Sequence, residues 1–199
     1  MERNSLLNKL IYKNGNKEEH MSLQQHKEIL QTGSIKLQPN QRDVAVAIEE
    51  ISELVQLFTK ILRGRQSVSN LELELMEEIS DVKISLETFS CRFNKDIEDI
   101  ETDSLLVYTA DNNKYDNSYT IYVAIKIVLI ELLKLSNSLA LSLYFDYFSS
   151  DWVYKDIIAI YKELNGLIKK LNLDIEKIKY IEDIKLERVS ARIRNGEKL

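Results

Sequence analysis

Val46, Ala47, Leu54, Leu57 and Ile61 fall on one side of a helix drawn through residues 40–63, and Leu71, Leu75, Val82 and Phe89 do the same for the stretch that follows. Apolar positions three and four residues apart mark an amphipathic helix. Pro39-Asn40 punctuates the chain ahead of the first helix, Gly64 is placed to stop it, and residues 65–69 make the connection. So short a connection predicts antiparallel neighbours. Residues 119–148 are apolar nearly all round, broken by Lys126, Glu131 and Lys134. That pattern predicts a helix buried on several sides, within the subunit or at a dimer interface, and the charges deny it an uninterrupted membrane span. Two more helices are expected over 152–171 and 175–194, with a break at Asn172–Asp174 between them and an N-cap for the first in Ser149-Ser150-Asp151. Residues 99–118 turn polar and read as a loop. Before Pro39, the patches Leu6 to Ile11 and Leu23 to Leu30 predict short helices at most.

Composition sharpens this into an all-α expectation. One proline and five glycines in 199 residues leave few tight turns and favour long helices. Hydrophobic residues at 44% suffice for a core, and this length suits one domain with an elaboration. The expected division is a helical pair over 38–98, a helical insertion over 99–172 and a C-terminal helix over 173–199. A net charge of −5 argues against a general nucleic-acid binder, whose surface would carry a basic face. Cys91 is the lone cysteine, so no intramolecular disulfide or cysteine metal cluster is expected, and a buried structural thiol is its simplest role. His20 and His26 have no partner at ligand spacing and are expected at the surface. The N-terminus lacks the apolar core of a signal peptide, which makes the cytoplasm the default location.

The two amphipathic helices share an oddity. Glu49-Glu50-Ile51-Ser52-Glu53-Leu54 is echoed by Glu77-Glu78-Ile79-Ser80-Asp81-Val82. Residues three apart share a helical face, so Glu50 points with Glu53, and Glu78 with Asp81. Glu50 and Glu78 fall in the middle of the apolar stripes, Glu53 and Asp81 at their edges, and Glu49 and Glu77 on the polar side. A single Glu-x-x-Glu is more often a solvated face, and Glu72, Glu74 and Glu87 are read that way. Two copies at matching stripe positions predict that the helices pack with four carboxylates gathered in a partly dry site. Unpartnered, such charges cost several kcal/mol each. A hard divalent cation with oxygen ligands is the remedy, and Mg²⁺ or Mn²⁺ is expected.

These strings resemble the signature of the all-α nucleoside triphosphate pyrophosphohydrolases, the superfamily of the MazG-like enzymes and the dimeric dUTPases. The resemblance rests on Val46 to Leu54 and on Asn70 to Val82, and extends over roughly residues 38–92. It implies an antiparallel helical bundle of that type, here with an additional insertion, a metal held by Glu50, Glu53, Glu78 and Asp81, and a homodimer. It also implies Mg²⁺-dependent hydrolysis of a (deoxy)nucleoside triphosphate to monophosphate and pyrophosphate. The metal would neutralise phosphate charge and activate a water for attack on the α-phosphorus, with Glu49 or Glu77 orienting that water.

Cations are candidates for the triphosphate. Lys60 stands on the same side of its helix as Glu53, although the helix dipole alone explains basic residues at that end. Lys185, Arg188 and Arg192 run along the last helix amid Ile178, Ile181 and Val189, where they either snorkel to the surface or reach phosphate oxygens. Lys185 and Arg188 resemble a lysine and a following polar residue on a late helix of the MazG-like enzymes. Tyr147, Trp152 and Tyr154 suit a nucleobase, but core packing is the commoner role of such aromatics. Two other readings stand beside the main one: a dUTPase- or dCTPase-type enzyme of the same superfamily, and a non-catalytic helical interaction protein whose acids form a structural metal site or charged seam.

Overall fold

The structure, a computed structural model, describes residues 41–92, 117–145 and 150–195. The sequence before Pro39, residues 99–116, His20, His26 and Tyr147 lie outside it, as do the side chains of Phe89, Cys91, Trp152 and Arg192. All regular structure among the described residues is helical: α1 Gln41–Leu62, α2 Glu72–Arg92, α3 Asn117–Phe145, α4 Ser150–Lys170 and α5 Ile175–Arg194. The fold class is all-α, as the periodicity predicts. Small shifts occur at the ends: Asn70 and Leu71 belong to the turn before α2, and α3 begins at Asn117, inside the stretch read as loop.

Local chemistry sets the helix ends. At the end of α1, Gly64 adopts a φ of 64°, its N–H donates to Ile61 and the Arg65 N–H reaches back to Lys60. This paired closure satisfies carbonyls that the helix leaves open, and a left-handed residue is required at its pivot. Asn172, with φ 55°, performs the same turn after α4: its N–H donates to Lys169 and the Leu173 N–H to Ile168. Leu173 and Ile168 are both buried, giving the apolar contact that accompanies this closure. One residue later Asp174 caps α5, its Oδ1 accepting from the Lys177 N–H at 3.1 Å.

Helix α1 packs against α2 and α3, α3 against α4, and α2 additionally against α4 and α5. One apolar core joins all five, from Ala47, Ile51, Leu54 and Phe58 through Leu75, Ile79 and Val82 to Leu132, Ile160, Leu164 and Ile181. With three neighbours, α2 is covered on most sides. This explains why Met76 and Ser80 are as fully buried as the Leu75 stripe. Ser80 satisfies its hydroxyl by donating to the Met76 carbonyl at 2.7 Å.

No described helix is long and apolar enough to cross a membrane. Helix α3 is buried along Ile125, Val128, Leu132 and Leu135, yet Tyr119, Tyr122, Ile130, Leu133 and Leu141 are exposed along another face. Glu131 is largely covered and pairs with Lys134 one turn on, at 2.5 Å.

Candidate metal centre

The acid motifs meet across the α1–α2 contact. One carboxylate oxygen from each of Glu50, Glu78 and Asp81 lies within 4.8 Å of the others. Glu53 adjoins Glu78 within hydrogen-bonding reach. Among like charges, Asp81 acts most strongly on Glu50, and Glu53 on Glu78. Numbers that rise along α1 therefore fall along α2, which is the antiparallel pairing expected from the short connection.

Burial is graded. Glu50, Glu78 and Asp81 are half-buried, whereas Glu53 is exposed at the rim. The acids thus sit at the shoulder of the buried face and not at its middle, where the sequence pattern puts Glu50 and Glu78. At 100° per residue Glu50 lies roughly 70° from the line of Ala47, Ile51, Leu54 and Phe58, and Glu78 likewise from the line through Leu75, Ile79 and Val82. Leu57, further round on the same side of α1, is buried all the same, so the covering at each turn decides the depth as much as the angle. Val46, on the outer side of Glu50, is 40% exposed. Such a shoulder removes part of the hydration from a carboxylate while leaving it an approach from solvent.

Electrostatics follows from that placement. Burial, then the neighbouring Asp81 and Glu53 carboxylates, push Glu50 from 4.5 up to about 7, against the pull of Lys185. Burial, then Glu53 and Asp81, push Glu78 up to about 7 as well. Crowded carboxylates with too little water and too little positive charge hold protons unless another cation arrives. The Glu78 Oε2 atom is buried with no hydrogen-bond partner. A buried acceptor left unmatched costs free energy that coordination to a cation would offset. The donor set is all oxygen, the preference of Mg²⁺ and Mn²⁺. Octahedral Mg²⁺ at about 2.1 Å sets its oxygens about 3 Å apart when adjacent and about 4.2 Å when opposite. A spread of 4.8 Å or less is close to that range. The residues fit a hard divalent cation.

Among the predicted cations whose side chains are described, Lys185 is the one the fold brings to the acids. Its Nζ donates to Asp81 Oδ2 and, at 3.0 Å, to the Glu77 backbone carbonyl. Lys60 and Arg188 are exposed, and Lys60 lies about 10 Å along α1 beyond Glu53. Arg192 falls in α5 with its side chain outside the described residues. Glu49 is exposed beside the cluster and adds to the charge felt by Glu50, while Glu77 is half-buried one turn before Asp81.

A second polar group beyond the acids went unread in the sequence. Lys83 of α2 faces Glu182 of α5 at 2.9 Å, both well covered, and its ammonium lies 5.2 Å from the Tyr161 ring centre. The Tyr161 hydroxyl in turn donates to Glu87 at 2.6 Å. Glu87, expected on a solvated face, is part-buried because α4 covers that side of α2. Glu182 falls on the apolar stripe of α5 between Ile178 and Leu186, a placement visible in the sequence, but its partner Lys83 is revealed only by the packing of α5 on α2.

Compared with family models, curated proteins and solved structures, the chain matches none.

Proposed function

We propose that this protein is a divalent-cation-dependent nucleoside triphosphate pyrophosphohydrolase acting on a (deoxy)nucleoside triphosphate. The observation that carries the reading is the convergence of Glu50, Glu78 and Asp81 from two separate acid motifs, with Glu50 and Glu78 both short of positive charge. Glu50, Glu78 and Asp81 would hold the cation, with Glu53 beside them at the rim. When bound, Mg²⁺ supplies charge neutralisation for the triphosphate and lowers the pKa of the attacking water. The chain's own acids do the rest. Glu49 or Glu77 orients the water toward the α-phosphorus, and Lys185, Arg188, Arg192 and Lys60 answer the negative charge of the phosphates. The products are a nucleoside monophosphate and pyrophosphate.

A homodimer belongs to this reading. The exposed apolar row of α3 offers a surface to a second copy of the chain. The second reading, a helical interaction protein with a structural cation, draws on the same cluster and row without turnover.

A panel of the four common deoxynucleoside triphosphates with dUTP, assayed for Mg²⁺-dependent pyrophosphate release, tests the proposal. Release is expected from at least one nucleotide and is expected to fall by at least 100-fold in Glu50→Gln and Asp81→Asn, whose helical circular dichroism stays unchanged. Cation binding without release from any of them would favour the interaction protein.

A further inference from the structure

The sequence offers Lys185 two roles, snorkelling to the surface or reaching phosphate, yet its ammonium is tied into the acid cluster, on Asp81 Oδ2 and the Glu77 carbonyl. Both acceptors belong to α2, one turn apart, and Asp81 is also one of the three acids whose oxygens converge. The ammonium moderates the repulsion at Glu50 and Glu78 too. It is therefore the counter-ion of the cluster when no other cation is there. A single charge with three donors cannot supply what three or four carboxylates demand, and Glu78 Oε2 is left without a hydrogen bond. A divalent ion brings twice the charge to the same oxygens.

We propose that Lys185 is a built-in occupant of the cation site, which an incoming divalent ion displaces from Asp81. This rests on the cation site proposed above. The fold allows the displacement without moving a helix. Ion pairs join α5 to α2 in opposite senses: Lys185 of α5 meets Asp81 of α2, and Lys83 of α2 meets Glu182 of α5. Releasing the first leaves the second in place, together with Ile178, Ile181 and Leu186, all buried against the bundle. Lysine's flexible stem lets the ammonium swing while α5 stays docked. Its contact with the Glu77 carbonyl keeps it at the edge of the cluster, where it turns from the carboxylate toward an arriving anion. Competition between Lys185 and the cation makes the free protein bind its metal weakly, and occupancy then depends on a ligand that gives the ammonium somewhere else to go.

The test is calorimetric titration of Mn²⁺ alone into the full-length wild type, Lys185→Met and Lys185→Arg. Methionine keeps the length and packing of the stem and removes the charge; arginine keeps the charge. Displacement predicts that Lys185→Met binds Mn²⁺ about tenfold more tightly than wild type or better, with Lys185→Arg within about threefold of wild type. Equal or weaker binding by Lys185→Met, or an equal gain in Lys185→Arg, overturns the proposal while leaving the cation site standing. Absence of Mn²⁺ binding in wild type and in Lys185→Met alike, with Glu50→Gln indistinguishable from both, removes the cation site and this proposal with it. Should Lys185→Met melt near the assay temperature without cation, the Mn²⁺-induced rise in Tm decides: a larger rise than in wild type supports displacement, an equal or smaller one overturns it.

Discussion

At the residue scale, the functional reading turns on Glu50 and Glu78, carboxylates held where their charge is poorly solvated. Both have a folded-state pKa of about 7, above the 4.5 of the free side chain. The native state therefore binds protons more tightly than the unfolded chain, and the stability associated with these groups is complete below pH 4.5 and lost as pH rises through 7. Cation-free protein should accordingly show a Tm that declines between about pH 5 and pH 8, and Mg²⁺ or Mn²⁺ should restore more of it at pH 8 than at pH 5. Differential scanning fluorimetry across that range, with and without cation, reads both trends. A flat cation-free profile would mean that neither acid is strained. The same reasoning gives an unusual mutational sign: Glu78→Gln should raise the Tm of cation-free protein at pH 8 by a few degrees, because it deletes a charge the fold accommodates poorly. Loss of cation binding should accompany that gain.

Elements carry a different kind of information. The helices themselves were legible because Val44 to Ile61 and Leu71 to Leu86 repeat apolar residues at three and four, and Gly64 and Asn172 punctuate them. Gly64 faces open space, so a methyl group added there meets nothing and only the left-handed φ is penalised. Gly64→Ala should cost about 1 kcal/mol in chemical denaturation. The depth of the acids within their helices was harder to read: a stripe identified by alternating residues has no sharp edge, and Val46 looked like part of it until α2 and α3 left it uncovered. Harder still was Lys83 with Glu182, charges whose partners lie about a hundred residues away in the chain. Taking α5 from α2 would strand both. Lys83→Met alone should destabilise the fold by about 3 kcal/mol, since Glu182 would stay buried with its charge unanswered. Lys83→Met with Glu182→Leu should recover most of that loss, and denaturant titration of the two variants distinguishes a pairing role from simple loss of packing.

For the whole molecule, the α1–α2 pair, the short connection between them and their four acids could be inferred from one stretch of sequence. How α3, α4 and α5 close around that pair could not, since every one of them has apolar residues to spare. Helix α3 shows why: its sequence is apolar on all sides, its inner face meets α1 and α4, and Tyr119, Tyr122, Ile130, Leu133 and Leu141 stay in water. If that row is the seam between two copies, wild type should elute and scatter light as a particle of about twice the 23.2 kDa chain. Ile130→Lys with Leu133→Lys should then return it to one chain. A wild-type mass of one chain would leave α3 to some other partner and remove the homodimer from the account.

The functional reading depends on a divalent ion occupying the place where α1 and α2 bring their carboxylates together. The direct measurement is anomalous scattering from crystals grown or soaked with Mn²⁺, recorded on both sides of the manganese absorption edge. The expected result is a peak about 2.1–2.2 Å from oxygens of Glu50, Glu78 and Asp81, with the Lys185 ammonium moved off Asp81. A cluster without a peak at saturating Mn²⁺, the ammonium still on Asp81, would contradict it.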